Sequence, residues 1–564
     1  MISPVWLALA VAAIVAVIFV MRQAREQRLL QLRADWGTKL PRTHRMEEIA
    51  KSHRSRAALR DEQVAVDDRT WDDLVLDEVF QRIDYTESTL GRHALYHRLR
   101  IAHTTESLRA FESLVARMSD DPACRERAQL AFGRLRDPQG YNLWWLAGPD
   151  AVDVRGWFGV FPVLALATLV LIPVVFVRPE LLPALIGLLG LNFVLHLATF
   201  RRIEAVSTAF RQIAPLVATG QALRFIHGDD VDPLVAPLRR DTRLLRLKTI
   251  SRWVSGDPLM LSVQPNIAAV MLTDFVNLVY DYLNLVLPVN AAGVYFGIAS
   301  LRADASKLLE MMGALGDVDA ALGVASLRAG QTGWTRPIFT ASGSIVTMTD
   351  AVHPLVAAAV PNSVELPPGK GMLVTGSNMS GKSTLLRTLG VTTVMAQSLH
   401  TCFASAYAAP MLRVRSCIGR ADDILAGKSY YLVEVEALLG LVRDSTGAMP
   451  HLFLLDEMFR GTNAVERIAA GQAVLVELID QGKPHMVVAA THDNELVDLL
   501  SGSYAPFHFG DVLTDETLTF DHRLRPGRAT SRNAIALLRL NGAPPALVER
   551  ALASAAELDR QRAR

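Results

Sequence analysis

At 564 residues, half of them hydrophobic and 20% charged, the chain is too apolar for a disordered protein and long enough for roughly three to four domains. Its 58 Lys and Arg against 57 Asp and Glu leave a formal charge of +1, so no global attraction to nucleic acid follows and any basic surface must be local. The three cysteines, Cys124, Cys402 and Cys417, form no C-x-x-C pair, which argues against a disulfide framework or a cysteine-rich zinc site and fits a reducing cytosol.

Val5 to Met21 runs 17 residues without a charge, and residues 1–21 are predicted to form a transmembrane helix. Arg22, Arg25 and Arg28 follow this run instead of preceding it, which argues against a cleaved signal peptide. Residues 22–70 form a basic juxtamembrane segment; from 22 to 60, 11 Lys/Arg stand against 4 Asp/Glu. That excess suits either an anionic headgroup layer or a solvated basic helix. Residues 71–156 read as the first part of a helical domain. Trp157 to Val177 and Leu181 to Phe200 are 21 and 20 residues without a charge, joined only by Arg178-Pro179-Glu180. They predict a transmembrane hairpin over 157–200, with buried core helices as the alternative. Arg22 to Arg33 and Arg201-Arg202 orient the spans. The N-terminus and Glu180 face outward, while 22–156 and 201–564 are cytoplasmic, as in a multi-pass protein of the cell membrane.

Residues 201–335 continue the helical domain. The run Arg239 to Lys248 offers phosphate contacts or, more plainly, a solvated helix face. Ile267 to Leu301 is apolar but interrupted by Asp274, Asn277, Asp281, Asn284 and Pro288, so it reads as buried core helix and not as a span.

Residues 336–545 carry the chemistry. An apolar strand from Gly371 enters Gly376-Ser-Asn-Met-Ser-Gly-Lys-Ser-Thr384, a G-x-x-x-x-G-K-[ST] loop with a helix behind it. Gly376 and Gly381 let the backbone wrap a phosphate, Lys382 reaches the terminal phosphates of ATP, and the Ser383 hydroxyl takes Mg²⁺. Gly376, Ser377, Asn378, Met379, Ser380, Gly381, Lys382, Ser383 and Thr384 are therefore the candidate nucleotide-binding residues. His451 to Glu457 is a buried-strand run ending in two carboxylates, 74 residues after Lys382. Asp456 suits the metal shell, and Glu457 is placed to activate the attacking water. A third strand, Met486 to Ala490, ends in Thr491-His492-Asp493, where His492 can contact a γ-phosphate. The candidate catalytic residues are Glu457, His492 and Lys382; the metal ligands are Ser383 and Asp456.

These motifs resemble the MutS family of ATPases. Gly376 to Thr384 is similar to its Walker A, Asp456-Glu-Met-Phe-Arg-Gly-Thr-Asn463 to its Walker B, and Ala490-Thr-His-Asp493 to its His switch. Asp423 to Glu434 is similar to its signature segment. The resemblance implies a homodimer through the ATPase domains, in which Ser429 of one subunit reaches the nucleotide of the other. Upstream, Ile83 to Met118 is similar to the start of the family's helical core, and Trp334 to Asn362 to the approach into its ATPase domain. The expected fold class is thus an α/β P-loop NTPase of MutS type, joined to an all-α core with transmembrane helices and ending in a C-terminal helix over 546–564.

The departures from the family are as informative. Ser377 and Ser380 replace a Pro and a Gly usual in the loop, and Val360 stands where many members place an aromatic that stacks on adenine. No mismatch-reading domain or Phe-x-Glu wedge is expected before Trp71. The expected function is that of a membrane-anchored ATPase dimer coupling ATP binding to conformational change, with DNA retained as a ligand that is bound weakly and without mismatch preference. A transporter ATPase would need an L-S-G-G-Q segment, and residues 440–451 contain none. A nucleotide-binding membrane scaffold without hydrolysis or a DNA role is the other alternative.

Overall fold

The computed structural model describes residues 4–135, 140, 143–144, 156–239, 244–254, 287–377, 379–418, 430–446, 449–479, 482, 484–513, 518–529, 534–540 and 542–562. The chain folds as two units, each assembled from separated stretches. One takes residues 1–62, 84–97 and 109–331, the other 63–83, 98–108 and 332–564.

The first unit is helical throughout its described residues. Its spine is the 42-residue helix Val289–Gly330, which includes the end of the apolar region that was expected to be core helix; residues 267–286 of that region lie outside the described residues. Leu308, Met312, Leu315, Val318 and Leu322 recur at helical spacing on this spine and are buried. Asp319 on the same helix accepts hydrogen bonds from the Glu87 and Ser88 amides, both at 2.8 Å, and from the Ser88 hydroxyl at 2.5 Å. It thereby satisfies donors just ahead of the helix Thr89–Arg100 that the helix cannot satisfy itself. In the basic run, Arg239 pairs with Asp232 and Lys248 donates to Gln221 at 2.9 Å; residues 240–243 lie outside the described residues.

Two apolar stretches of this unit, Val160–Val177 and Pro179–Thr199, have only 11% and 6% of their length buried in the protein. Large apolar side chains such as Val163, Leu166, Phe176 and Val194 are exposed on them. Thr168 and Asn192, both buried, join the two helices: the Asn192 amide donates to the Thr168 hydroxyl at 2.9 Å. The second helix does not end with its apolar run at residue 200. It is one element of 41 residues, Leu182–Ala222, because nothing between Phe200 and Ala214 breaks helical hydrogen bonding. At the N-terminus, Pro4–Ala34 is likewise a single helix of 31 residues.

The second unit contains two sheets. Its strands are β1 (Ile338–Phe339), β2 (Val346–Ala351), β3 (Asn362–Leu366), β4 (Lys370–Thr375), β5 (Ala406–Ala409), β6 (Arg413–Cys417), β7 (His451–Asp456), β8 (Met486–Ala490), β9 (Tyr504–Leu513) and β10 (Leu518–Pro526). The smaller sheet has the order β1-β5-β2-β3 and the larger β10-β9-β4-β8-β7-β6. In the larger sheet β9, β4, β8, β7 and β6 run parallel, and β10 closes one edge antiparallel to β9. Met372–Val374, Leu452–Leu455 and Met486–Ala490 are continuous buried runs, as expected of parallel strands covered on both faces.

Residues 71–156 were expected to lie wholly in the helical domain. Residues 71–83 and 98–108 fold instead with the nucleotide-loop unit. Packing and buried polar contacts explain the difference. Leu74 occupies the space above Gly390 of the helix Lys382–Leu399, where a Cβ would stand 2.5 Å from its Cδ2. The Asp73 carboxylate accepts from the Ser416 hydroxyl at 2.7 Å and the Ile418 amide at 2.8 Å, and Arg387 donates to the Asp73 carbonyl at 2.8 Å. Trp71 is buried with the Arg100 guanidinium 4.1 Å over its ring.

Candidate functional site

The C-terminal ends of β4, β7 and β8 lie abreast, since Val374 and Asp456 both pair with Ala490. Three sequence-distant segments therefore leave one edge of the sheet together, at the end where ligands bind in parallel α/β sheets. After β4 the backbone turns at Gly376 (φ 141°) and Gly381 (φ 118°), conformations that favour glycine. A Cβ on Gly376 would also stand 3.0 Å from the Ser380 hydroxyl and 3.1 Å from the Phe509 carbonyl. The helix Lys382–Leu399 starts directly behind this loop, so its free amides face the same space.

Lys382 is buried. Its ammonium donates to the Gly376 carbonyl at 2.8 Å and the Ser377 carbonyl at 3.0 Å. Burial lowers its pKa, against the opposing pull of Glu457 and Asp456. The Ser383 hydroxyl donates to Asp456 Oδ2 at 2.5 Å, whereas Asp456 Oδ1 is buried without a partner. Burial pushes the Asp456 carboxyl upward, and the Ser383 hydrogen bond opposes that shift. One hydroxyl and one carboxylate oxygen with a lone pair to spare suit a Mg²⁺ that takes its other ligands from phosphate and water. No cluster of three His, Cys, Asp or Glu able to hold a metal by themselves occurs among the described residues.

Glu457 has φ +49°, an uncommon backbone state for a residue with a side chain, and its amide donates to the Ala490 carbonyl at 3.0 Å. Its carboxylate lies 2.6 Å from Arg460 Nη1 through one oxygen and 2.6 Å from His492 Nε2 through the other. Because a carboxylate only accepts, Nε2 carries a proton toward Glu457; the Lys382 ammonium 3.3 Å away is a close neighbour of that nitrogen and not its donor. Phe459 (φ +56°) donates its amide to the buried Glu434 at 2.7 Å, tying the segment after β7 to the helix Tyr430–Ser445.

The structure thus brings Lys382, Ser383, Asp456, Glu457 and His492 into one linked group. Met379 (φ +72°) is exposed at the lip of the cleft and Thr384 lines it. Asn378 and Ser429 lie outside the described residues. A cleft of about 360 Å³ is lined by Lys382, Ser383 and Glu457 together with Val356, Ala357, Ala358, Ala359 and Val360. His353, Asn362, Phe509 and His522 also line it, and the sequence reading assigned them no role. His522 meets the Ser380 carbonyl at 3.0 Å through Nδ1, and its own carbonyl accepts from Asn362 at 2.9 Å. No motif marks His522, because it reaches the loop through the β9–β10 hairpin. His353 carried a usable signal: a histidine before a proline, between two apolar strands. Burial, reinforced by Arg387, lowers its pKa to about 4 and keeps the ring neutral.

Comparison with known proteins converges on one family description. Residues 372–559 match the family model described as MutS domain V. The chain is 32% identical over 259 residues to a DNA mismatch repair protein MutS of Natronomonas pharaonis, covering 44% of this chain and 30% of that protein. It is 33% identical over 270 residues to the DNA mismatch repair protein MutS 2 of Halobacterium salinarum, covering 46% and 30%. With the MutS of Streptococcus gordonii the identity is 33% over 238 residues, covering 41% and 28%. The chain therefore spans less than a third of the length of these curated relatives.

Proposed function

From the match of residues 372–559 to MutS domain V and the likeness of the C-terminal half to MutS proteins, we infer that the protein is a MutS-family, Mg²⁺-dependent ATP hydrolase, dimeric through its ATPase domains and anchored in a membrane. The observation that carries the reading is the linked group Lys382, Ser383, Asp456, Glu457 and His492 at the ends of three adjacent parallel strands. Bound MgATP supplies a γ-phosphoryl group as electrophile and a cation that offsets the charge on its oxygens. The chain's own residues do the rest. Lys382 is fixed by two loop carbonyls and presents its charge to the phosphates. Ser383 and Asp456 would hold the metal. Glu457 accepts a proton from the attacking water as the β–γ bridging P–O bond breaks and ADP leaves with inorganic phosphate.

Lys382→Ala is expected to weaken nucleotide binding, while Glu457→Gln is expected to bind ATP and hydrolyse it about 10²-fold or more slowly, in line with loss of a general base. Purified full-length protein in detergent, assayed for phosphate release and for filter-bound nucleotide, separates the two effects. Hydrolysis by Glu457→Gln at the unmodified rate would overturn the assignment. The exposed apolar hairpin supports the membrane anchor, and the signature segment supports the dimer.

A further inference from the structure

We propose, on the ATPase reading of this site, that the paired Arg467 and Asp493 are positioning residues for hydrolysis: they hold His492 against the Glu457 carboxylate and touch no substrate themselves. The Arg467 guanidinium meets the Asp493 carboxylate through two parallel hydrogen bonds, Nε to Oδ2 at 2.9 Å and Nη2 to Oδ1 at 2.7 Å. Such a fork fixes direction as well as distance, and both side chains are about a quarter exposed or less. Asp493 directly precedes the helix Asn494–Leu499, where an aspartate side chain ordinarily accepts an amide of the first turn. Here it caps no amide of that helix, and its two oxygens go to Arg467 instead. The Asp493 amide donates to the Thr491 hydroxyl at 3.0 Å, and the Thr491 amide donates to the Val374 carbonyl at 3.0 Å. The residues on both sides of His492 are therefore fixed.

Arg467 is anchored in its turn. It stands in the first turn of the helix Ala464–Ile479, whose start is set by Asn463: the Asn463 side chain accepts from the Glu466 amide at 3.0 Å, and its carbonyl accepts from the Arg467 amide at 3.0 Å. The Thr462 hydroxyl adds a hydrogen bond to Glu466 at 2.8 Å. Residues 457–463 lead into this turn from β7 and include Arg460, which holds the second oxygen of Glu457. The chain from Glu457 to Arg467, the ion pair and the His492–Glu457 contact thus close a ring. Neither Arg467 nor Asp493 lines the cleft, so their influence on hydrolysis passes through His492 and Glu457. With the fork cut, His492 keeps its attachment to β8 but loses the tie that sets its distance from the loop carrying Arg460. A displacement of about 1 Å at a reacting group slows a reaction by up to about 10²-fold. Nucleotide held by the phosphate loop is bound as before.

The test uses full-length protein in detergent with Arg467→Ala, Arg467→Lys and the double variant Arg467→Gln/Asp493→Asn, which removes both charges together and leaves no buried carboxylate unpaired. Phosphate release gives kcat and KM for MgATP, and thermal melts confine the comparison to folded protein. Expected for Arg467→Ala and the double variant is a kcat lower by about tenfold or more, with KM within about threefold. Arg467→Lys, which keeps the charge but not the fork, should recover part of that loss. In a His492→Ala background, Arg467→Ala should slow hydrolysis by no more than about twofold further, because the residue it positions is gone. A kcat within about twofold of the unmodified protein in both variants that lack the fork overturns the proposal. So does an undiminished loss in the His492→Ala background, the mark of a merely structural pair. Absence of phosphate release by the unmodified protein would overturn the ATPase reading and the proposal with it, whereas release that ignores the fork overturns the proposal alone.

Discussion

Two buried histidines of the nucleotide-loop unit make its stability depend on pH. His451 is stacked on Phe453 at 5.0 Å with both ring nitrogens unpartnered, and its amide donates to His485 Nδ1 at 3.0 Å. Burial, with His485, Arg415 and Arg413 beside it and only Asp444 opposing, lowers its pKa to about 4, and His353 is lowered to the same range. The unfolded chain takes up these protons near pH 6.5, the folded chain only near 4, so stability rises with pH across that window. Full stability is present above about pH 6.5 and falls as pH drops toward 4, by up to about 3 kcal/mol per histidine. Urea melts of the full chain between those pH values check this, and His451→Phe should flatten the dependence. At this scale the sequence was legible where function is written in short spacings: Gly376, Lys382, Ser383 and Asp456-Glu457 are local patterns with a mechanism. Arg460 and Glu434 were visible within quoted segments but had no assigned partner, because their partners are fixed by tertiary placement. His522 was invisible for the same reason.

Among the elements, the short helix Asp68–Asp73 does most to explain why the nucleotide-loop unit needs residues from far upstream. Its Asp73 satisfies the Ser416 hydroxyl and the Ile418 amide at the end of β6, immediately before the segment that carries Ser429. Asp73→Ala leaves two buried donors without an acceptor and is expected to destabilise this unit by about 2–4 kcal/mol. Asp73→Asn, which keeps an acceptor oxygen, should recover most of that. Chemical denaturation of the full chain followed by Trp71 fluorescence measures it, and equal stability of all three proteins would remove the helix's assigned role. Strands β4, β7 and β8 were legible as apolar runs because both of their faces are covered. The helical boundary near 71 was not, since the amphipathic pattern of Leu76, Val79, Phe80 and Ile83 says that a face is buried but not against what.

For the whole molecule, the apolar hairpin and the orientation of the chain are open to direct labelling. All three native cysteines, Cys124, Cys402 and Cys417, are buried, so none of them reports sidedness and the background is low. Glu180→Cys, between the two apolar stretches, is expected to react with an impermeant maleimide in intact cells. Leu552→Cys, exposed on the helix Pro545–Arg562, should react only after lysis. Labelling of Leu552→Cys in intact cells would reverse the proposed topology. Nucleic-acid binding is the second property at this scale. With a net charge of +1, any DNA affinity is expected to be weak, to fall steeply with salt, and to ignore mismatches. Anisotropy titrations at about 0.15 M salt check this, and binding about tenfold tighter to a G·T mismatch than to homoduplex would contradict it.

The unbroken helix Leu182–Ala222 makes rotation of the hairpin and rotation of the helical unit a single coordinate. Its 41 residues extend about 60 Å, and one inserted residue turns one end against the other by about 100°. A single alanine added after Thr199 must therefore misalign either Asn192 with Thr168 or the buried row Phe210, Ile213, Leu216 and Val217 with its packing. An insertion of seven residues returns the phase to within about 20° while lengthening the rod by about 10 Å. Greater thermal destabilisation by one residue than by seven is the signature of a single continuous helix that couples the phase of the apolar hairpin to that of the buried row beyond it.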